Sequence, residues 1–385
     1  MNMNTLTILV KPSSDKCNLK CQYCFYHDVS GKRETKDYGF MSFSTAKNLI
    51  DNALSSNEYS NINFVFQGGE PSLIGLAFFK KFVDYANSNA SKRNKTVLYS
   101  FQTNGVGLSE QWLAFFQQHD FLIGLSLDGD KFTHDKYRIC STEKGSYERV
   151  IHTLSRFREK NIRFNILSVV TSSLAHRIKA IYPELKSLGA THLQFIPCLE
   201  PWGEVSNKQE WSLTPEAYGR FLSDLFVLWK YDVYQGSAPD IRYFNNIIGI
   251  MFGYMPESCD MRGVCAIQNV VEADGSIYPC DFYTFESMKI GHVSTHEFEN
   301  IHTKEASKTF LSHSHILPSD CRQCMFQQLC RTGCRRHNES EEVGSKNRYC
   351  ESYLYFFNRH IHELEQLAEY IFNQSEGNDE TEMGR

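Results

Sequence analysis

Short apolar, β-branched or aromatic runs recur along the first half of the chain, at 5–10, 62–66, 96–101, 121–127, 163–170 and 192–196. Between them lie longer stretches, 44–54, 76–89, 109–119, 147–160 and 176–188, whose apolar residues return with the helical period. A further one, 215–231, follows the sixth run. Length and period assign the first set to strands and the second to helices. Ser44, Ser109 and Thr214 stand where helix N-caps are expected. Strands and helices in strict alternation imply an α/β fold, a parallel sheet with helices outside, curled by right-handed crossovers into a partial (β/α)6 barrel.

In such folds chemistry gathers at the C-terminal ends of the strands. The unusual segments of this chain fall there. The first cysteines follow the first strand, Gln67-Gly68-Gly69-Glu70-Pro71 the second and Gln102-Thr103-Asn104-Gly105 the third, and Ser126-Leu127-Asp128-Gly129 ends the fourth. The character changes near residue 255, beyond which the chain is rich in cysteine and turns. The reading is a barrel domain over 1–235, a smaller cysteine-rich domain over 236–352, a helix over 353–372 packing back on the body, and a polar, acidic tail over 373–385 without fixed structure.

Charge narrows the class of partner. Lys and Arg total 40 against 45 Asp and Glu, a formal net charge of -5, so no basic excess exists for nucleic acid or an anionic membrane. No apolar run reaches the roughly 18 residues of a membrane span. Residues 1–10 are too short and polar for a signal peptide and read as a first buried strand, which points to the cytoplasm. Disulfides are disfavoured in that compartment, so 13 cysteines point to metal or cluster ligation.

Cys17, Cys21 and Cys24 form C-x3-C-x2-C. Three thiolates in one tight loop suit three irons of a [4Fe–4S] cluster and leave the fourth iron open to a small chelating molecule. The competing reading is structural zinc, which usually takes four protein ligands in paired C-x2-C units. Eight more cysteines follow: Cys259, Cys265, Cys280, Cys321, Cys324, Cys330, Cys334 and Cys350. They match two four-cysteine clusters, although two tetrahedral zincs fit the same spacing. Asp274-Gly275 reads as a hairpin turn bringing Cys265 and Cys280 together. Cys140 and Cys198 belong to no motif and read as ordinary thiols.

C-x3-C-x2-C after the first strand of a βα barrel resembles the radical S-adenosylmethionine (SAM) superfamily. The resemblance implies that the open iron binds the amino and carboxylate groups of SAM, and that one electron splits SAM to a hydrogen-abstracting 5′-deoxyadenosyl radical. Gly68-Gly69-Glu70 resembles the segment that holds the SAM amino group, with Glu70 and freed carbonyls as acceptors. Matching positions assign Tyr23, Ser126, Arg138 and Leu199 to SAM contact, Arg138 toward the carboxylate. The second constellation resembles the SPASM auxiliary domain. That resemblance places Cys259, Cys265, Cys280 and Cys334 on one cluster and Cys321, Cys324, Cys330 and Cys350 on the other, giving three [4Fe–4S] clusters in all.

Several segments are similar to one family, the anaerobic sulfatase-maturating enzymes: Leu9-Val10-Lys11-Pro12, Cys24-Phe25-Tyr26-His27, Phe64 to Pro71, Phe101 to Gly105, Ile241 to Phe244, Tyr278 to Tyr283 and Gly333 to Arg336. The resemblance implies oxidation of a cysteine or serine in a nascent sulfatase to Cα-formylglycine. It also implies an electron donor such as flavodoxin or ferredoxin, and a monomer is expected. Asp281 is the candidate base, expected beside buried apolar groups that would raise its pKa. Tyr26 and Gln67 are expected to line the peptide site. The rivals are another radical SAM peptide-modifying enzyme that forms thioether or carbon–carbon cross-links, and a non-catalytic, zinc-structured binding protein.

Overall fold

The computed structural model describes residues 4–204, 207–340 and 342–382. In chain order its main elements begin with β1 (Thr5–Val10), α1 (Phe25–Gly31), α2 (Phe43–Ser55), β2 (Asn61–Phe66), α3 (Leu76–Ser91) and β3 (Thr96–Thr103). Then come α4 (Glu110–Gln118), β4 (Leu122–Ser126), α5 (Lys131–Tyr137), α6 (Tyr147–Glu159), β5 (Phe164–Val170), α7 (Ser172–Ala175), α8 (Ile178–Ser187) and β6 (His192–Pro197). The remainder are α9 (Pro215–Tyr234), β7 (Asp240–Ile241), α10 (Arg242–Met251), β8 (Val270–Val271), β9 (Ser276–Tyr278), β10 (Gly291–His292), α11 (Phe298–Ile301), α12 (Glu305–Ser312), α13 (Gln327–Cys330) and α14 (Cys350–Glu382). All six expected strands are present. No helix among the described residues is long and apolar enough to cross a membrane.

The chain divides into two compact units, the first made of Met1–Ser168, Leu199–Ser206 and Ala266–His313. Its sheet is parallel from β1 through β5, with Ile8 beside Phe64, Phe64 beside Tyr99, Phe101 beside Ile123 and Leu125 beside Ile166. Helix α2 buries Ala46, Leu49, Ile50, Ala53 and Leu54, a stripe at helical spacing. Its N-cap is Ser42, whose hydroxyl accepts the Thr45 N–H at 3.0 Å, so Ser44 lies in the first turn rather than at the expected cap. Ser109 occupies the N-cap of α4 without a side-chain bond. The core is aromatic: Phe64, Phe66, Phe79, Phe82, Phe101, Phe116 and Phe121 are almost fully buried. Phe66 and Phe79 meet edge to face at 4.9 Å, and Phe101 lies 5.0 Å from Phe116. Each such side chain contributes about 1.5–3 kcal/mol by burial.

The first unit also takes in residues beyond the boundary expected at 236. β8 pairs in parallel with β1, Leu9 beside Val270 and Val10 beside Val271, and turns back antiparallel into β9 through Asp274-Gly275. Gly275 has φ +96°, and a Cβ there would lie 2.9 Å from Val293 Cγ2. The hairpin was legible; its docking on β1 is a long-range pairing that no local pattern carries.

The second unit comprises Val169–Cys198, Asn207–Cys265 and Ser314–Arg385. Thr214 caps α9 by accepting the Ala217 N–H at 3.2 Å. Helix α14 packs on α9 where Gly219 leaves room for Ser352, and Ser223 Oγ meets His360 Nε2 at 2.6 Å. The helix runs beyond both ends of the expected 353–372, and through Glu382 it occupies the stretch expected to lack structure. No proline interrupts that stretch. Residues 383–385 lie outside the described residues.

Candidate active site

The cysteine loop occupies the turn from β1 into α1. Pro12 ends the strand, Ser14 adopts φ 52°, and Cys24 sits at the N-cap of α1. Backbone bonds from Lys20 N to Ile139 O (2.7 Å) and from Gln22 N to Tyr137 O (3.1 Å) tie the loop to the segment after α5. Burial pushes the thiols up, Cys17 to about 11 and Cys21 to about 12, and Cys24 also rises. Each of the three thiols is influenced electrostatically by Arg138, and Cys17 and Cys21 also by Cys24, so they form one electrostatic group. A donor set of three soft thiols beside a buried cation suits an iron–sulfur cluster of negative net charge.

The glycine pair lies directly against this loop. Gly68 has φ +87°, and a Cβ there would lie 2.8 Å from Lys11 Cγ. At Gly69 a Cβ would overlap the Lys16 carbonyl and come within 2.8 Å of the Asp15 carbonyl carbon. Glu70 N donates to Lys16 O at 2.7 Å. The Glu70 carboxylate is fully buried and turned inward, accepting from Thr103 Oγ1 (3.0 Å), Asn104 N (2.8 Å) and Ser72 N (3.1 Å). It braces the glycine turn against the end of β3. The carboxylate expected to meet an ammonium group thus also accepts from three protein donors.

Tyr23, Asp128 and Arg138 form a second cluster. The Tyr23 hydroxyl donates to Asp128 Oδ2. Arg138 Nη1 donates to the Tyr23 oxygen at 2.8 Å and lies 3.6 Å from Asp128 Oδ2. Arg138 Nε is buried with no hydrogen-bond partner, an available donor suited to an anion. Behind it, His134 Nδ1 accepts the Asp128 N–H, which leaves Nε2–H for Ser146, whose hydroxyl donates to Arg138 O at 2.8 Å. Burial holds His134 well below its usual range, so the ring is neutral. Ser126 is half-buried at the end of β4, and Leu199 is buried after β6.

Asp281 follows Cys280 and the β8–β9 hairpin. Its surroundings differ from the apolar pocket expected. Lys11 Nζ stands 2.8 Å from Oδ1, while Oδ2 accepts from Tyr26 Oη at 2.8 Å and Gln67 Nε2 at 3.0 Å. Lys11 is itself buried, lies over the Tyr26 ring at 4.8 Å, and is 3.5 Å from Glu272 Oε1. Arg33 Nη1 meets the same Glu272 oxygen at 2.6 Å. Two cations and two carboxylates thus alternate as Arg33, Glu272, Lys11 and Asp281. Burial, then the Asp281 charge, raises the Tyr26 phenol far above its usual value, so it stays a donor. The structure brings Asp281, Tyr26 and Gln67 into direct contact. Lys11, Glu272 and Arg33 were missed. The available signal was a lone lysine closing an apolar strand, and a lone glutamate after Val270-Val271.

In the second unit Cys259, Cys265 and Cys334 influence one another electrostatically, as do Cys321, Cys324, Cys330 and Cys350. Cys280 belongs to the first unit. Burial pushes Cys330 to about 12 and Cys334 higher still. Among the described residues no three His, Cys, Asp or Glu side chains converge on a single-ion site.

Residues 12–176 match the Radical SAM superfamily, and residues 263–325 match SPASM, an iron–sulfur cluster-binding domain. The cysteine-type anaerobic sulfatase-maturating enzyme of Clostridium novyi (strain NT) is 38% identical over 371 residues, 96% of this chain and 99% of that protein. The serine-type enzyme of Bacteroides thetaiotaomicron is 26% identical over 388 residues, 96% of this chain and 92% of that protein. A solved structure of native anSMEcpe with bound AdoMet and Cp18Cys peptide aligns with TM-score 0.90 at 35% identity, covering 95% of this chain and 99% of the other. SuiB of Streptococcus suis bound to S-adenosylmethionine aligns with TM-score 0.62 at 16% identity over 90% of this chain and 78% of its own, a likeness of fold alone.

Proposed function

The chain belongs to the anaerobic sulfatase-maturating enzymes, and from that premise we propose that it oxidises a cysteine of a sulfatase polypeptide to Cα-formylglycine. The cysteine target is favoured over serine because the cysteine-type relatives are 36–38% identical and the serine-type ones 26–28%. Cys17, Cys21 and Cys24 would hold the SAM-binding cluster, and the eight later cysteines the two auxiliary clusters. When bound, cluster and SAM supply one-electron abstraction of a hydrogen atom from the target Cβ.

The residues of this chain do the rest. Arg138 Nε would bind the SAM carboxylate, and backbone carbonyls of the Gly68-Gly69 turn its ammonium, with Glu70 as their brace. Tyr23 holds Arg138 in place through its oxygen, and Ser126 and Leu199 would flank the cosubstrate. Asp281 would accept the thiol proton of the target. Its Oδ2 already receives two donors and its Oδ1 only Lys11, so an acceptor direction remains on Oδ1. Tyr26 and Gln67 fix the carboxylate plane and line the peptide site. An electron donor of the flavodoxin or ferredoxin type, a monomeric state and a cytoplasmic location complete the reading.

The observation that carries it is the meeting of Tyr26, Gln67, Lys11 and Asp281 within hydrogen-bond reach beside the cysteine loop. Reduced, cluster-loaded enzyme with SAM and a Cys-x-Pro-x-Arg peptide should form aldehyde. Asp281→Asn should abolish aldehyde while SAM cleavage continues. A cross-linked product, or none from the wild type, would sink the assignment.

A further inference from the structure

Asn104, in the Thr103-Asn104-Gly105 segment after β3, has no part in the reaction described above, yet it is buried and held from three sides. Its backbone N–H donates to Glu70 Oε2 at 2.8 Å. Its side-chain Oδ1 accepts the Val106 N–H at 2.9 Å. That bond fixes which end of the amide is oxygen, so both Nδ2 hydrogens point the other way. One goes to Asn18 Oδ1 at 2.7 Å and the other to Cys17 Sγ at 3.6 Å. Asn18 returns a bond from its own Nδ2 to Val106 O at 3.0 Å, closing the arrangement. Cys17 Sγ also receives the Leu19 N–H at 3.4 Å. Among the three thiols of the loop, Cys17 receives a side-chain N–H as well as a backbone one. Cys24 receives backbone N–H groups from Tyr26 and His27.

We infer that Asn104 is a positioning residue that sets the reduction potential of the first cluster through its N–H bond to the Cys17 sulfur. A cluster thiolate carries negative charge that grows when the cluster takes an electron. A donor held against that sulfur stabilises the reduced form more than the oxidised form and so raises the potential. The Val106 bond is what gives the effect its direction, because an amide free to flip would present oxygen to sulfur half the time. The inference rests on the cluster reading of Cys17, Cys21 and Cys24.

The test is a redox titration of loaded enzyme followed by electron paramagnetic resonance, using the signal that changes on adding SAM to identify the first cluster. Asn104→Leu removes the donor at similar volume. Asn104→Asp keeps an oxygen for the Val106 N–H, preserves the turn, and replaces the donor by a charged acceptor. Both variants should hold wild-type iron and show a first cluster that is harder to reduce, Asp more so than Leu. A tenfold loss in the equilibrium constant for taking the electron corresponds to about 59 mV. The SAM-insensitive signals should keep their potentials. A SAM-sensitive signal with the wild-type potential in both variants overturns the assignment of Asn104. A wild type with no SAM-sensitive signal overturns it together with the cluster reading. Should Asn104→Leu fail to load, the Asp variant decides alone.

Discussion

Lys11 Nζ lies 2.8 Å from Asp281 Oδ1, joining the residue that closes β1 to the one that follows the first cysteine after the β8–β9 hairpin. The contact exists because β8 docks on β1, so the sheet pairing itself delivers a carboxylate to the mouth of the glycine turn. Breaking a buried pair from one side leaves an uncompensated charge, which costs about 3–5 kcal/mol. Lys11→Met should therefore lower the denaturation midpoint and, separately, uncouple the reaction. Aldehyde formed per SAM cleaved should fall on the order of 10²-fold as the proposed base, Asp281, loses its position. Lys11→Arg should restore part of the coupling. Equal aldehyde and deoxyadenosine yields in Lys11→Met would remove the positioning role.

Glu272 serves two cations at one oxygen, Arg33 at 2.6 Å and Lys11 at 3.5 Å. Glu272→Ala leaves Arg33 without a carboxylate and Lys11 with Asp281 alone, so it should destabilise by more than Glu272→Gln, which retains an acceptor. About 3–5 kcal/mol is expected for the alanine change. Urea unfolding of both variants, read at one pH, checks the order; equal midpoints would mean the chain of charges is not a stabilising unit.

Arg138 offers a buried Nε without a partner beside Tyr23 and Asp128. Arg138→Lys keeps a cation for Asp128 and removes that donor. A charge-assisted hydrogen bond contributes about 1.5–3 kcal/mol, so SAM should bind roughly 10- to 100-fold more weakly to the loaded enzyme. Equilibrium dialysis measures this. Wild-type affinity would exclude Nε as the carboxylate contact.

Buried thiols give the cluster-free protein a pH limit. Burial raises Cys17 to about 11, and Cys21 and Cys330 to about 12, from an ordinary 9.0. The folded state thus favours the neutral thiols. Their contribution is fully present below pH 9 and is lost as pH rises through 11 to 12. Unfolding midpoints of cluster-free protein should decline as pH rises above about 9, and the loaded protein should not follow. Loading should also release protons, one per thiol ligated, which a weakly buffered dye assay would register.

The sequence displayed the fold because each layer signals locally. Apolar runs of strand length alternate with stripes such as Ala46, Leu49, Ile50, Ala53 and Leu54. Cysteine spacing is local too, so Cys17, Cys21 and Cys24 were legible as one loop. Long-range pairings were not. Nothing near Val270 announces that it will lie beside Leu9, so the partners of Asp281 came out as polar where an apolar pocket was expected. Glu70 was read from its motif as a ligand contact, and the structure adds that its carboxylate accepts from Thr103 and Asn104. Side-chain direction inside a motif depends on the next strand over, and residue identity alone does not carry it.

Gly69 has a Cα so close to the Lys16 carbonyl that no side chain fits, and the Glu70 N–H is bonded to that same carbonyl. The cysteine turn, proposed to hold the first cluster, and the glycine turn, proposed to hold SAM, are therefore packed as a single mechanical piece. On the proposed reading, a displacement of one turn carries the other with it, so oxygen damage to the first cluster should weaken SAM binding as well as silence the chemistry.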